Sequence, residues 1–451
     1  MKSRRSKKTG IFIYFNSITK TYLSAQHLNP YMTILIRQAK IVDPTSPFHL
    51  SIQDLLIEYG IIKTIGTVNQ KADYVLDAPG LHVSPGWMDL FAHFADPGLE
   101  YKETIETGIA AAAQGGFTEV MVLPNTKPVV DGKSQVEYII QKSKNAVVTV
   151  HPLGAITKQT EGKELAEMYD MKAAGAAAFT DGVHPVQSAG LLLKALQYVK
   201  AFNGVLLQIP DDKTIGTYGL MNEGIISTQL GLPGKPVLAE EIQVARDIKL
   251  TKYAESKLHF TGVTSPKCIE YINRGKQGGT GVSCSVTPAH LYFTDEDLRS
   301  YDTNLKLYPP LRTTTERDAL KEAVLNGTVD CIASHHLPHE YDSKVCEFQE
   351  AKFGMIGLET CYGAVGAALG NVLTAERWVE LISIHPRNVA GLVVPTIKEG
   401  ATANVTIFDP EATYTFEEKD IRSKSRNSAF IGKELRGKAV AVINNNQIQI
   451  N

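Results

Sequence analysis

Cysteine, tryptophan and unbalanced charge are all scarce in this chain, and so is any long apolar run. Five cysteines are scattered over 451 residues (Cys268, Cys284, Cys331, Cys346 and Cys361), an odd number with no CxxC or CxxxC spacing. Such a set excludes a disulfide framework and a zinc ribbon, and predicts reduced thiols in a cytoplasmic protein. Cys284 and Cys331 fall in strand-like runs and read as core filler rather than nucleophiles. A formal net charge of −2 gives no reason to expect nucleic acid as a partner. No apolar stretch reaches the roughly 18 residues that a membrane span needs.

Charge is uneven only at the start. Lys2, Arg4, Arg5, Lys7, Lys8 and Lys20 precede the first acid, and the 40 remaining basic residues face 48 acidic ones. A secretion signal would follow such a basic start with an apolar core. Here IFIYF is interrupted by Asn16, so residues 1–31 read as a disordered leader, with Met32 a possible true start.

What is present from residue 32 onward is regular alternation. TILIRQAKIVDP, SIQDLLIEYGIIKTIG and ADYVLDAPGLHVSPG are short β-branched runs separated by turns, and so are ATANVTIFDP and GKAVAVINNNQIQI at the far end. These predict one composite β-sandwich built from 32–84 and 396–451. Between them, strand-like runs recur at GWMDLFAH, TEVMVLPN, VVTVHPLGAIT, AAAFTDG, GVLLQIP, KLHFTGV, GVSCSVTP and CIASHH, mostly with helical stretches between. Eight β/α units over 85–395 predict a closed (β/α)8 TIM-type barrel, with its chemistry at the C-terminal strand ends. The glycine-rich RGKQGGTGV (274–282) lacks the P-loop pattern and reads as a helix-to-strand connection.

The motifs at those strand ends carry a resemblance. DLFAHFADPGLEYKETIETGIAAAAQGGFTEVMVLPNTKPV (89–129), GAITK (154–158), LGLPGKP (230–236), SVTPAHLYFT (285–294), LKLYPPLR (305–312), IASHHLPH (332–339), KFGMIGLET (352–360) and NSAFIGKELRGK (427–438) resemble, in order, the dihydroorotases of the amidohydrolase superfamily. The resemblance implies a zinc site made by two histidines on strand 1, an aspartate or carboxylated lysine on strand 4, single histidines on strands 5 and 6, and an aspartate on strand 8.

Against that pattern, four of the six metal positions differ: Phe91 stands for a histidine beside His93, Gln208 and Gly262 replace the later histidines, and His335 replaces the aspartate. Asp181 remains on strand 4, in FTDG rather than FxDDG. Ala95 stands where an arginine would clamp the substrate carboxylate, and Tyr308 where an asparagine would precede PPLR; Asn125 and His339 keep matching, substrate-binding positions. A hydrolytic zinc needs about three protein donors and a bound water. Phenylalanine and glycine offer none, and an amide oxygen is a poor zinc ligand.

Each surviving residue also has an ordinary explanation. His93 alone cannot hold zinc and reads equally as a polar core residue. Asp181 and Asn125 suit turns. His335, His336 and His339 form HHxxH, which on a helix would place the first and last on one face, yet the run reads as a strand end and lacks a zincin's glutamate.

The expectation is therefore a dihydroorotase-like protein of pyrimidine biosynthesis without metal-dependent hydrolysis. The resemblance implies a structural or regulatory role beside aspartate transcarbamoylase, and a homodimer. No catalytic residue or cofactor is expected. The competing expectation is an active dihydroorotase or related cyclic-amide hydrolase with a rearranged zinc site, held by His93, Asp181 and some of His335, His336 and His339.

Overall fold

The computed structural model describes residues 12–15, 32–77 and 80–451. Within the segment expected as a leader, β1 (Phe12–Phe15) pairs antiparallel with β5 (Tyr74–Asp77); the rest of that segment lies outside the described residues.

The alternating runs at both ends of the chain form a single nine-stranded sheet. It contains β1, β2 (Thr33–Ile41), β3 (Ile52–Glu58), β4 (Ile61–Gly66), β5, β6 (His82–Pro85), β16 (Val405–Thr415), β17 (Glu434–Asn444) and β18 (Gln447–Ile450). The two ends meet where β16 pairs antiparallel with β6, Val405 opposite Pro85 and Ile407 opposite Val83. The sheet is mixed, because β2 runs parallel to both β5 and β6. Ile34, Ile36, Leu55 and Val83 from one end share a core with Val405, Ile407 and Ile443 from the other. Neither terminal segment could bury its apolar face alone.

The middle of the chain closes into the predicted parallel barrel. β7 (Trp87–Ala92), β8 (Phe117–Val122) and β9 (Thr149–Pro152) form one arc, and β10 (Leu206–Gln208), β13 (Lys257–Phe260), β14 (Gly281–Val286) and β15 (Cys331–Ile332) form the other. A two-stranded excursion, β11 (Met221–Asn222) with β12 (Gly234–Lys235), stands apart. The fourth barrel strand is reduced to Phe179, which bridges in parallel to Gly154 on one side and Leu206 on the other. AAAFTDG is too rich in alanine and too short to sustain a ladder. The remaining gap closes through a parallel bridge between Ala92 and His336.

Helices wrap the barrel for local reasons. Helix Ile105–Gln114 starts at Thr104, whose hydroxyl accepts from the Thr107 N–H, while the Thr107 side chain accepts in return. Helix Pro266–Gln277 starts at Ser265 with proline in its first turn, and ends at the glycine-rich run leading into β14. Met88, Leu90, Phe91, Met121, Leu153, Leu207 and Cys331 come from strands on opposite sides and pack together inside the barrel.

Candidate active site

The site is built from the ends of β7, β10, β13 and β15 and from the loops after them, where the sequence places it. Within β7, Asp89 is fully buried and accepts from Ser334 through both N–H and hydroxyl, each at 2.7 Å, so it ties the first barrel strand to the segment after β15. Phe91 is also fully buried, and its ring stacks on that of His335, with centroids 4.4 Å apart and planes 27° from parallel. His93 donates from Nε2 to the Asn125 carbonyl at 3.0 Å. Burial lowers its pKa to about 4, so the ring is neutral and that nitrogen carries a proton.

Asp181 is fully engaged as an acceptor. Its Oδ1 receives the N–H groups of Ile156 and Thr157, both at 2.9 Å, and its Oδ2 receives the Thr157 hydroxyl at 2.5 Å. Burial nonetheless pushes its pKa up to about 6. Asn125 donates from Nδ2 to the Asp181 carbonyl at 3.1 Å and accepts the Val183 N–H at 3.3 Å. This tie presses on Gly182, where a Cβ would lie 1.7 Å from Asn125 Oδ1 and φ is +62°. Asn125 therefore sits in this structure as a link between two strand ends.

Gln208 faces a buried carboxylate: Nε2 donates to Asp247 Oδ2 at 2.5 Å, and Oε1 accepts the Val186 N–H at 3.1 Å. Asp247 is further paired with Arg246 at 2.7 Å. Both ends of the amide are committed to the barrel wall.

The three histidines of HHxxH diverge, because the segment is extended rather than helical. His335 bonds through Nε2 to the Thr261 hydroxyl at 2.8 Å. His336 is fully buried; its Nδ1 accepts the Gly357 N–H at 3.2 Å, and its Nε2 lies 3.3 Å from Glu103. His339 donates from Nε2 to the Phe353 carbonyl at 2.9 Å. The helical placement that would bring His335 and His339 onto one face is not the one found. Among the described residues, no three His, Cys, Asp or Glu side chains are placed to share a metal ion. The donor set does not fit a hydrolytic zinc: two positions that the resemblance assigns to ligands carry no side-chain donor, and the buried Nδ1 atoms of His335 and His339, which have no hydrogen-bond partner, are not joined by a third donor among the described residues.

The positions that the resemblance assigns to substrate also have partners within the chain. Tyr308 donates to Asp211 at 2.7 Å, and Lys235 pairs with the same carboxylate at 2.9 Å. Where the resemblance expects a small amide, a Tyr–Asp–Lys cluster links the segment after β10 (Asp211) to β12 (Lys235) and to the segment between β14 and β15 (Tyr308). Ala95, at φ 57°, offers no side-chain charge to an anion.

The residues least visible beforehand are Ser283, His259, Ser285 and Thr261. Ser283 bonds His259 Nδ1 at 2.8 Å, and His259 Nε2 bonds Ser285 at 3.1 Å. Ser285 then donates to Thr261 at 3.0 Å, and Thr261 reaches His335. The signal was a polar stripe of period two, His259/Thr261 on one strand and Ser283/Ser285 on its neighbour.

Beyond β15, the segment 341–354 is pinned by lysine. The buried Lys344 donates from Nζ to the carbonyls of Lys352 and Gly354, at 2.8 and 2.9 Å. Burial, with Lys306 adding to it against Asp302 and Cys346, lowers its pKa to about 7. Between about pH 7 and 10 the unfolded lysine holds a proton that the folded one has released, so stability rises with pH there. Lys344→Met is expected to flatten that rise in urea midpoints measured from pH 7 to 9.5; parallel curves for the two proteins would contradict it.

Four of the five cysteines are buried free thiols and Cys346 is exposed. Burial lifts the Cys284 thiol to about pKa 12, consistent with an inert core residue. Among the described residues, no helix is long and apolar enough to cross a membrane.

A parallel barrel with a sheet made from both chain ends defines the amidohydrolase-type fold, and solved structures agree. L-hydantoinase (dihydropyrimidinase) from Arthrobacter aurescens superimposes with a TM-score of 0.79 at 22% identity, covering 93% of this chain and 97% of that one. Dihydropyrimidinase from Brevibacillus agri gives 0.78 at 20% identity, over 93% and 95%. Sequence narrows the class. A family profile described as Dihydro-orotase-like matches residues 80–267. A dihydroorotase from Geobacter metallireducens is 39% identical over 416 residues, 91% of this chain and 98% of the relative. One from Pelotomaculum thermopropionicum is 41% identical over 415 residues, 91% and 97%. The chain belongs to the dihydroorotase-like family.

Proposed function

We propose that this chain is a dihydroorotase-family protein of pyrimidine biosynthesis that does not open cyclic amides by metal-assisted hydrolysis. It acts instead as a structural or regulatory partner of aspartate transcarbamoylase. The observation that carries the loss of hydrolysis is the Phe91–His335 stack, with Gly262 beside it. Three positions that the resemblance assigns to metal are filled by packing. The partner is the one the resemblance implies, and a barrel framework kept intact around an altered site supports it.

Two measurements test the two halves. Elemental analysis of protein purified without chelators is expected to find only trace zinc, with no turnover of dihydroorotate or carbamoyl aspartate. Light scattering of the chain mixed with the same organism's transcarbamoylase is expected to show a joint assembly. One tightly bound zinc per chain with turnover would sink the first half, and a clean failure to associate would sink the second.

A second reading is favoured by the relatives. Proteins about 40% identical over nine-tenths of the chain are named dihydroorotase, which supports an active cyclic-amide hydrolase more directly than a partner role. That reading needs metal held through His93, Asp181 and some of His335, His336 and His339. Among the described residues no three of these side chains are grouped around one point, so that reading needs the barrel mouth to rearrange, and the zinc measurement separates the readings.

A further inference from the structure

The altered positions do not merely lack donors; they hold one another in place. Gly262 sits at φ +71°, and a Cβ built there would lie 2.5 Å from His335 Cε1, 3.1 Å from its Nε2 and 3.3 Å from Pro309 Cδ. The imidazole of residue 335 thus occupies the space that any side chain at 262 requires. Phe91 covers one face of the same ring. Its edge is held by Thr261, the fourth member of the chain Ser283–His259–Ser285–Thr261–His335, which spans β14, β13 and the end of β15. His335 itself takes φ 47°, a conformation that a non-glycine residue keeps only where its surroundings enforce it.

The direction of the chain follows from its members. Ser285 gives its proton to Thr261, so at Ser285 it is the His259 Nε2–H that donates, and His259 Nδ1 accepts from Ser283. Thr261, already accepting, keeps its own proton for His335 Nε2. Four aligned hydrogen bonds join neighbouring strands at the depth where the family pattern places its strand-end ligands.

We infer that this chain, capped by the Phe91–His335 stack, is the cross-strand tie of the barrel mouth in place of a metal. It is interlocked with Gly262, so that restoring a ligand at any one position breaks the tie without building a site. This rests on the non-hydrolytic reading above and is independent of the transcarbamoylase partner. Its consequences are that the protein reaches full stability without metal, and that positions 262 and 335 are energetically coupled.

The full-length chain tests both. Its thermal midpoint is expected to be unchanged by EDTA or by added zinc. Phe91→His and Gly262→His, each alone, are expected to lower the midpoint by several degrees and to retain no zinc after gel filtration. Gly262→Ala, a milder probe should the histidine variant fail to fold, carries the same clash in a single methyl group. A double-mutant cycle of Gly262→Ala with His335→Ala is expected to be non-additive. Once the ring is gone, the alanine at 262 should cost clearly less, leaving the backbone strain of its positive φ and the close approach to Pro309 Cδ. Additive shifts, or a wild-type midpoint for Gly262→Ala, would overturn the interlock while leaving the non-hydrolytic reading standing. A chelator-sensitive wild-type midpoint would overturn both.

Discussion

Arg387→Met is expected to destabilise the protein by about 3–5 kcal/mol, because it strips a buried ion pair of one partner. Arg387 is fully buried; its guanidinium donates to Glu119 at 2.8 Å and to the carbonyls of Gly86 and Ser383 at 2.7 and 2.8 Å. Glu119 also receives His151 at 2.7 Å and Asn404 at 2.9 Å. Gly86 immediately precedes β7, Glu119 lies in β8, His151 in β9, and Asn404 immediately precedes β16. The cluster therefore locks the first three barrel strands to the terminal sheet. Burial works against the Glu119 charge, but His151 and Arg387 outweigh it and pull its pKa to about 2. Removal of the guanidinium leaves a buried carboxylate with neutral donors and one histidine. Urea unfolding at pH 7 measures the loss, and a change below about 1 kcal/mol would contradict the buried-pair argument. Glu119→Gln added to Arg387→Met is expected to cost less than the sum of the single changes, since both remove the same interaction.

Asp181→Ala is expected to cost about 2–4 kcal/mol, through two buried N–H groups and one hydroxyl left without an acceptor. The groups are Ile156 N–H, Thr157 N–H and the Thr157 hydroxyl. Asp181→Asn is expected to recover part of this, because its amide oxygen can accept from Ile156 and Thr157 where the alanine cannot. Zinc content should not respond to either change. The contrast is diagnostic: a metal ligand loses its metal first, whereas a loop tie loses stability first. A variant of unchanged stability that had shed a bound zinc would assign Asp181 to metal binding instead.

Much of this molecule was legible before its coordinates. β-branched runs of four to eight residues at regular spacing specify strands whatever surrounds them, and helical stretches between them specify parallel crossover. The fourth strand was legible as a position but not as a ladder: Phe179 supplies two bridges, and the alanines before it supply no cross-strand packing. At the site, the absence of a side-chain donor at Phe91 and Gly262 could be read directly, since no fold can give phenylalanine or glycine a metal-binding side-chain atom.

The roles of the surviving polar residues could not be read that way. The resemblance assigns Asn125 and His339 to substrate; here Asn125 links Asp181 to Val183 and His339 holds the Phe353 carbonyl. HHxxH permits a shared helical face or an extended strand end, and the parallel bridges of His336 to Ala92 and Met355 select the second. Gln208 could have been a weak ligand. Asp247, thirty-nine residues later and buried beside it, makes it part of the wall.

Sequence by itself determined the family, the barrel, the β-structure at the two chain ends and the absence of a side-chain donor at Phe91 and Gly262. Each depends on local pattern or on which atoms a side chain possesses. Only the tertiary structure decided what surrounds those two positions. The His335 ring fills the space Gly262 leaves, and a four-bond chain of serines, threonine and histidines crosses the strands beneath it. Contacts between residues more than 70 positions apart, such as Thr261 with His335, are set by barrel closure. No local pattern encodes that distance.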